Sequence, residues 1–318
     1  MTVINTNTSS MVARDAIQRN DRAMATAMER LSTGSRINTA KDDAAGLAIA
    51  ERMKSQVSGL NMAVRNANDA ISLLQTVDGA AAEISNMLSR MYELAVQSVS
   101  GTYTATDRTA LDLEFGALME EINDIAERTE WNGNTIMDAS YSSSGTGTAD
   151  DDMLDVQLGA GASQTMNIRI KDWRTTASVD ANQANEEAAG DGVDSANSAY
   201  QTSAGNSALV HNGGAESDRI KVNTAAAAAV AITNLKNALD AAAAERAQYG
   251  AYISRLQHAA DNLQNVSTNT SASVSRIADA DYATETTELA RTQIISQAST
   301  AMLAQANQVK QTVLALLQ

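Results

Sequence analysis

No proline occurs anywhere in the 318 residues. Average usage of about 5% would supply roughly sixteen, and each one inside a helix would remove a hydrogen bond and clash with the preceding turn. The chain is therefore free to form long uninterrupted helices, and its apolar residues are spaced for them. Near the amino terminus Ile17, Met24 and Leu31 stand seven apart, with Ala27 and Met28 between them, a narrow stripe on one helical face. Near the other end Ile295, Met302, Val309 and Leu316 repeat the same interval. Both ends read as amphipathic helices that need helical partners.

Ser32-Thr33-Gly34 stops the first helix. A second starts at about Asp43 and carries Met53, Val57, Leu60, Val64, Ala67, Ile71 and Leu74, then Val77, Ile84, Leu88, Met91 and Ala95. It covers about 55 residues, or roughly 80 Å at 1.5 Å per residue. After a break at 101–106, Thr106 or Asp107 is placed to cap a third helix with Leu111, Phe115, Leu118, Ile122 and Ile125, antiparallel to the second. Asn132-Gly133 ends that unit, and residues 142–147 form a Ser- and Gly-rich loop. The period then changes to two. Leu154, Val156 and Leu158, followed by Met166, Ile168 and Ile170 across a turn at 159–163, predict a β-hairpin, the one clear strand signal.

Residues 175–217 hold few hydrophobes and read as a small surface domain or a poorly ordered insertion. Helix returns at about Thr224 with Ile232, Leu235, Leu239, Ala242, Arg246, Tyr249, Ile253, Leu256, Ala260 and Leu263. A polar stretch at 267–275 separates it from the last helix. The predicted fold is mainly α, a long antiparallel helical bundle with terminal coiled-coil helices plus a small β-hairpin region. Its parts are a terminal coiled-coil domain (1–33 and 284–318), a helical core with the hairpin (34–172 and 219–283) and a short insertion (173–218).

One Phe, two Trp and seven Tyr leave the aliphatic residues and Met to fill the interior, the palette of narrow helix–helix seams. Cysteine is absent, which excludes disulfides and thiolate chemistry. No stretch approaches the roughly eighteen apolar residues of a membrane span. The first ten residues are polar, so the sequence predicts a soluble chain or one exported without a cleavable leader, and no membrane partner. A net charge of −15 argues against nucleic acid. Between 138 and 218 thirteen acids face only Arg169, Lys171 and Arg174, a net of −10. The ends stay nearly neutral and can pack without repulsion.

A buried Leu, Ile or Met contributes roughly 1.5–3 kcal/mol, whereas ordering each residue costs about 1–2 kcal/mol of backbone entropy. A lone terminal helix with three or four stripe positions falls short. Its obvious mate is the other end, and because two helices bury one face each, neighbouring subunits must supply the rest. The competing reading is the core of a monomeric bundle, although such a bundle has no reason to segregate thin stripes at the extreme ends.

The residues also carry a specific likeness. Leu31-Ser32-Thr33-Gly34-Ser35-Arg36-Ile37-Asn38 with Ala40-Lys41-Asp42-Asp43-Ala44-Ala45-Gly46-Leu47-Ala48-Ile49-Ala50 resembles the amino-terminal signature of bacterial flagellins. So do Glu93-Leu94-Ala95-Val96-Gln97 and Glu130-Trp131-Asn132-Gly133, where the family more often has Phe at the aromatic position. Ser275-Arg276-Ile277-Ala278-Asp279-Ala280-Asp281-Tyr282-Ala283 and Thr300-Ala301-Met302-Leu303-Ala304-Gln305-Ala306-Asn307-Gln308 are similar to the carboxy-terminal signature, with Lys310 where many members have Pro. The resemblance covers about 1–172 and 219–318. It implies a structural subunit that self-assembles through its terminal helices into the extracellular flagellar filament for swimming, with Ile17, Met24, Leu31, Ile295, Met302, Val309 and Leu316 as the assembly seam. It further implies export by the flagellar type III apparatus, a secretion chaperone, a filament cap and hook-junction proteins as partners. Arg90, Leu94, Gln97 and Glu114 match positions by which many flagellins resemble ligands of the flagellin-sensing Toll-like receptor, with filament packing as the primary role expected of Leu94 and Gln97 and receptor recognition as opportunistic. A hook–filament junction protein is the runner-up of the same kind.

No chemistry competes with this reading. His211 and His258 belong to no metal-ligand spacing, and no H-E-x-x-H, phosphate loop or nucleophile elbow occurs. Gly159-Ala160-Gly161 reads as a turn and Asp150-Asp151-Asp152 as a solvated acidic loop. Ser and Thr in 142–148 and 175–178 are candidate glycan acceptors. The expectation is therefore no enzyme, no cofactor and no metal. A chemoreceptor-like signalling bundle, the alternative from another class, would bring a membrane span and one continuous hairpin.

Overall fold

The computed structural model describes residues 8–138, 153–175 and 220–315, without the side chains of 9, 153 and 309–315. Its elements are α1 (Thr8–Thr33), α2 (Ala44–Val99), α3 (Ala105–Arg128), β1 (Glu130–Trp131), β2 (Asn134–Thr135), β3 (Met153–Gln157), β4 (Thr165–Arg169), α4 (Ala225–Ala278) and α5 (Tyr282–Ala315). They divide into two compact units, residues 59–265 and residues 1–58 with 266–318.

The larger unit is an antiparallel bundle of α2, α3 and α4. Arg90 of α2 meets Glu114 of α3 at 2.9 Å, while the Arg108 guanidinium donates to the Ser98 carbonyl at 2.8 Å. Asp78 of α2 pairs with Arg246 of α4 at 2.9 Å, and the Ser98 hydroxyl donates to the Val222 carbonyl just before α4 begins. These cross-links set both helices running against α2. Between them lies one core that includes Leu74, Ile84, Leu88, Met91 and Leu94 of α2, Phe115 and Ile122 of α3, and Leu235, Ala242, Tyr249 and Leu256 of α4. The hairpin β3–β4 pairs in the register Leu154 with Ile168 and Val156 with Met166, and it adds Val156, Met166, Ile168 and Ile170 to that core.

Four details depart from the sequence expectations. The α3 cap is Thr104 rather than Thr106 or Asp107, because Thr104 and Asp107 form a reciprocal box: the Thr104 hydroxyl accepts from the Asp107 N–H, and the Asp107 carboxylate accepts from the Thr104 N–H. The polar stretch 267–275 does not interrupt the chain, and α4 continues to Ala278. It holds neither Pro nor Gly, Ser273 returns its hydroxyl to the Asn269 carbonyl, and Ser and Thr cost only a few tenths of a kcal/mol each, about 0.5, in a helix. Asn132-Gly133 is more than a stop. With φ of 53° and 80° the two residues make the tight turn of a second hairpin, β1–β2, which pairs Trp131 with Asn134.

The fourth departure concerns the insertion, whose expected start at 173 falls on core. Trp173 is fully buried, its indole donates to the Tyr249 hydroxyl at 3.0 Å, and its backbone N–H donates to the Met137 carbonyl at 2.9 Å. Thr175 donates to the Asn123 side chain at 2.7 Å through its N–H. On the far side of the insertion the Val222 N–H donates to Asp112 at 2.7 Å. Both ends of the segment are thus tied to α3. The segment itself, the loop at 142–147, Asp150-Asp151-Asp152 and His211 lie outside the described residues.

Replacing Phe115, 1% exposed, by Ala should lower stability by about 3–5 kcal/mol in denaturant unfolding. Thr104→Ala should cost about 1 kcal/mol. Hydrogen bonds from the Thr104 hydroxyl and N–H hold the Asp107 carboxyl below its ordinary value of 3.8. The folded state thus favours the ionised form, so this contribution is complete above pH 3.8 and is lost as pH falls through the depressed value. Thr104→Ala should therefore flatten the acid limb of the stability curve.

Candidate functional site

The two ends of the chain come together as an antiparallel pair, α1 against α5. The Asn20 amide donates to the Thr292 carbonyl at 2.7 Å, and the Arg30 guanidinium pairs with Glu285 at 3.1 Å. On α1 the covered face runs Ala13, Ile17, Asn20, Met24, Ala27, Leu31, and on α5 it runs Glu285, Leu289, Thr292, Ser296, Ser299, Leu303, Ala306. Steps of four and three alternate along both, the spacing of a coiled-coil seam. Asn20, Ala27, Glu285 and Thr292 are buried, and the others are half-buried.

A joint of two chain breaks closes one end of this pair. Gly34 ends α1 with φ of 71°, a left-handed conformation that a side chain disfavours. Ser35 and Asp279 then form an antiparallel bridge, with Arg36 N–H donating to Ala278 at 2.6 Å and Ala280 N–H donating to Gly34 at 2.9 Å. The Arg36 guanidinium donates to the Ile277 carbonyl at 2.6 Å. Nearby, backbone hydrogen bonds from Thr39 and Asn38 hold the Asp42 carboxyl below its ordinary range, with a smaller contribution from Arg30. Asp43 and Asp281 cap α2 and α5 through the N–H groups of Gly46 and Ala283.

The seven expected seam residues divide. Ile17, Met24 and Leu31 line the α1–α5 seam, half-buried. Ile295 and Met302 do not, being 41% and 67% exposed on another face of α5. The Val309 side chain and Leu316 lie outside the described residues. On α5 the seam belongs to smaller and more polar residues than a search for hydrophobes selects. Its signal was the same three-four spacing, written in Thr, Ser and Ala. Together with Met11, Val12, Met28 and Ile294, which are 55–67% exposed, Ile295 and Met302 make six large non-aromatic apolar side chains of the terminal pair that stand in water among the described residues, beside Tyr282 at the start of α5.

The second group of expected residues sits on α2 and α3. Arg90 bonds Glu114 at 2.9 Å and Glu93 at 3.0 Å, pairings that hold its guanidinium above its ordinary value, and all three are exposed. Gln97 is half-buried and donates to the Tyr103 hydroxyl at 2.9 Å. Leu94 is 1% exposed and belongs to the core, so the surface of this patch consists of Arg90, Gln97 and Glu114. His258 is exposed on α4. Gly159 to Gly161 form the β3–β4 turn, closed by Leu158 N–H donating to Gln164 at 2.8 Å.

With this geometry in view, two family descriptions match the chain: the bacterial flagellin N-terminal helical region over residues 4–142 and the C-terminal helical region over 232–317. The chain is 35% identical to flagellin B of Vibrio cholerae over 371 aligned positions, covering 99% of each. It is equally 35% identical to flagellin D of Vibrio anguillarum, again over 99% of each. Among solved structures, a putative flagellar hook-associated protein from Vibrio parahaemolyticus superposes with a TM-score of 0.53 at 12% identity, covering 75% of this chain and 100% of that one, a likeness of fold.

The two faces of the terminal pair should respond differently to charge. Ala27→Asp, at a position 2% exposed, should lower the helical far-ultraviolet dichroism of the isolated chain. Ile295→Asp and Met302→Asp should leave it unchanged.

Proposed function

The chain belongs to the bacterial flagellins and is a structural subunit of the extracellular flagellar filament, and from that premise we propose that the α1–α5 pair is its assembly element. The observation that carries this reading is the set of six exposed apolar side chains on a pair whose own seam is thin. At roughly 1.5–3 kcal/mol for each large side chain removed from water, their burial between subunits would add substantially to a pair that is thinly covered on its own. Ile295 and Met302 then belong to contacts with neighbouring subunits, while Ile17, Met24 and Leu31 hold the pair together.

Finer expectations rest on the same family membership. The chain leaves the cell through the flagellar type III apparatus, held before export by a secretion chaperone, and joins a growing end beneath a cap protein. It acts as a structural protein without catalysis, as its flagellin relatives do. A flagellin-sensing Toll-like receptor would meet Arg90, Gln97 and Glu114, with Leu94 contributing only from beneath. The hook–filament junction reading draws no support beyond fold likeness.

Chains lacking residues 1–33 or 284–318 should remain folded, soluble monomers that fail to extend filament seeds. Normal polymerisation of either truncation contradicts the proposal. In the intact monomer, amides of α1 and α5 should exchange hydrogen far faster than those of α2 at Leu88 and Met91, and become protected in the filament. Equal protection of the ends in the free monomer is the opposing result.

A further inference from the structure

The α1–α5 seam is unusual in what it buries. Its seam positions recur at heptad intervals and its uncharged members are aliphatic or small, so sliding one helix along the other by seven residues sets Ile17, Met24 and Leu31 against α5 positions that are again Leu, Ser, Thr or Ala. Such a pattern selects one alignment only weakly. The polar members do differ from one another. Glu285 is 8% exposed and Arg30 is partly covered, and among the described residues the buried Nε of Arg30 has no hydrogen-bond partner. Asn20, also 8% exposed, reaches across to a main-chain carbonyl, that of Thr292.

A half-buried ion pair with an unsatisfied nitrogen is a poor source of stability, because desolvating the charges offsets much of their attraction. Its best-attested use is to specify one pairing among several. We propose that Arg30 and Glu285 are the register-determining residues of the terminal helix pair. A slip of one heptad carries each group about 10 Å from its partner. It would leave Glu285 and Arg30 without each other in a seam otherwise lined by aliphatic and small side chains. The joint at Ser35 and Asp279 brings the last turn of α1 beside the first turn of α5. Arg30–Glu285 extends that alignment into the helices, whereas the main-chain carbonyl that Asn20 meets has an equivalent one heptad away and leaves the register open. The filament requires every copy to present its outward apolar residues at the same height, so an error in register is an error in assembly. This inference rests on the assembly reading above.

The test is seeded growth of the full-length chain from wild-type filament ends. Arg30→Glu and Glu285→Arg, singly, should each slow growth by about tenfold or more, as expected when one buried charge is left uncompensated. The two changes combined should restore it to within about threefold. An apolar double change, Arg30→Met with Glu285→Leu, should leave the monomer melting no lower than wild type yet extend seeds about tenfold more slowly, because an apolar seam tolerates slipped pairings. Three results overturn the proposal: single reversals that grow normally, a double reversal no better than the singles, or an apolar double variant that grows at the wild-type rate. The last would assign the register to the joint alone. Growth by a chain lacking residues 1–33 would instead sink the assembly reading, which keeps the two failures apart.

Discussion

Two helices packed side by side can each bury only one face, and the terminal pair of this chain is limited by that geometry. The covered face of α5 is mostly Thr, Ser, Ala and Glu285, with Leu289 and Leu303 as its large apolar members. The face in water carries Ile294, Ile295 and Met302. A monomer that needed this pair for its own stability would place those residues the other way round. On the assembly reading proposed above, the arrangement makes sense when other copies add to the burial, so that joining the polymer completes the stability of a pair that is only marginal in the free chain.

The unit at 59–265 follows the opposite logic. Its three helices bury α2 on two sides, and the largest of its fully buried side chains are Trp173, Tyr249 and Phe115. Burial pushes the Tyr249 phenol well above its ordinary range, so the hydroxyl stays protonated as partner to the Trp173 indole. The Lys171–Glu245 pair lies nearby on the same two segments. A body of this kind keeps its shape whether or not its ends are engaged. On the proposed assembly reading, stability and assembly fall to different stretches of one chain.

Much of this was legible in the residues. The second helix, expected from about Asp43, begins at Ala44, and the hairpin pairs Leu154 and Val156 with Ile168 and Met166 because strict alternation leaves one register that buries both strands. The misses share a cause, which is that apolar spacing carries the signal and small or polar residues mute it. The α5 seam was hidden by Thr292, Ser296 and Ser299, while Met302 stood out although it faces water. Residues 267–275 looked like a break because they are polar, yet nothing in them stops a helix. Trp173 reads as insertion because its immediate neighbours Asp172 and Arg174 are polar and its partner Tyr249 lies 76 residues away. The receptor-like set could not be divided into surface and core from sequence, because Leu94 and Gln97 are separated by less than one turn.

The most direct test uses the methionines already present. In the free chain Met302, Met11 and Met28 are 67%, 62% and 55% exposed, whereas Met91 and Met137 are fully buried. Peroxide oxidation, read residue by residue by mass spectrometry, follows that exposure. If the outward face of the terminal pair is covered by neighbouring subunits, Met302 should oxidise quickly in the monomer and slowly in the filament, with Met91 and Met137 slow in both. Oxidation of Met302 at the same rate in filament and monomer would contradict the account.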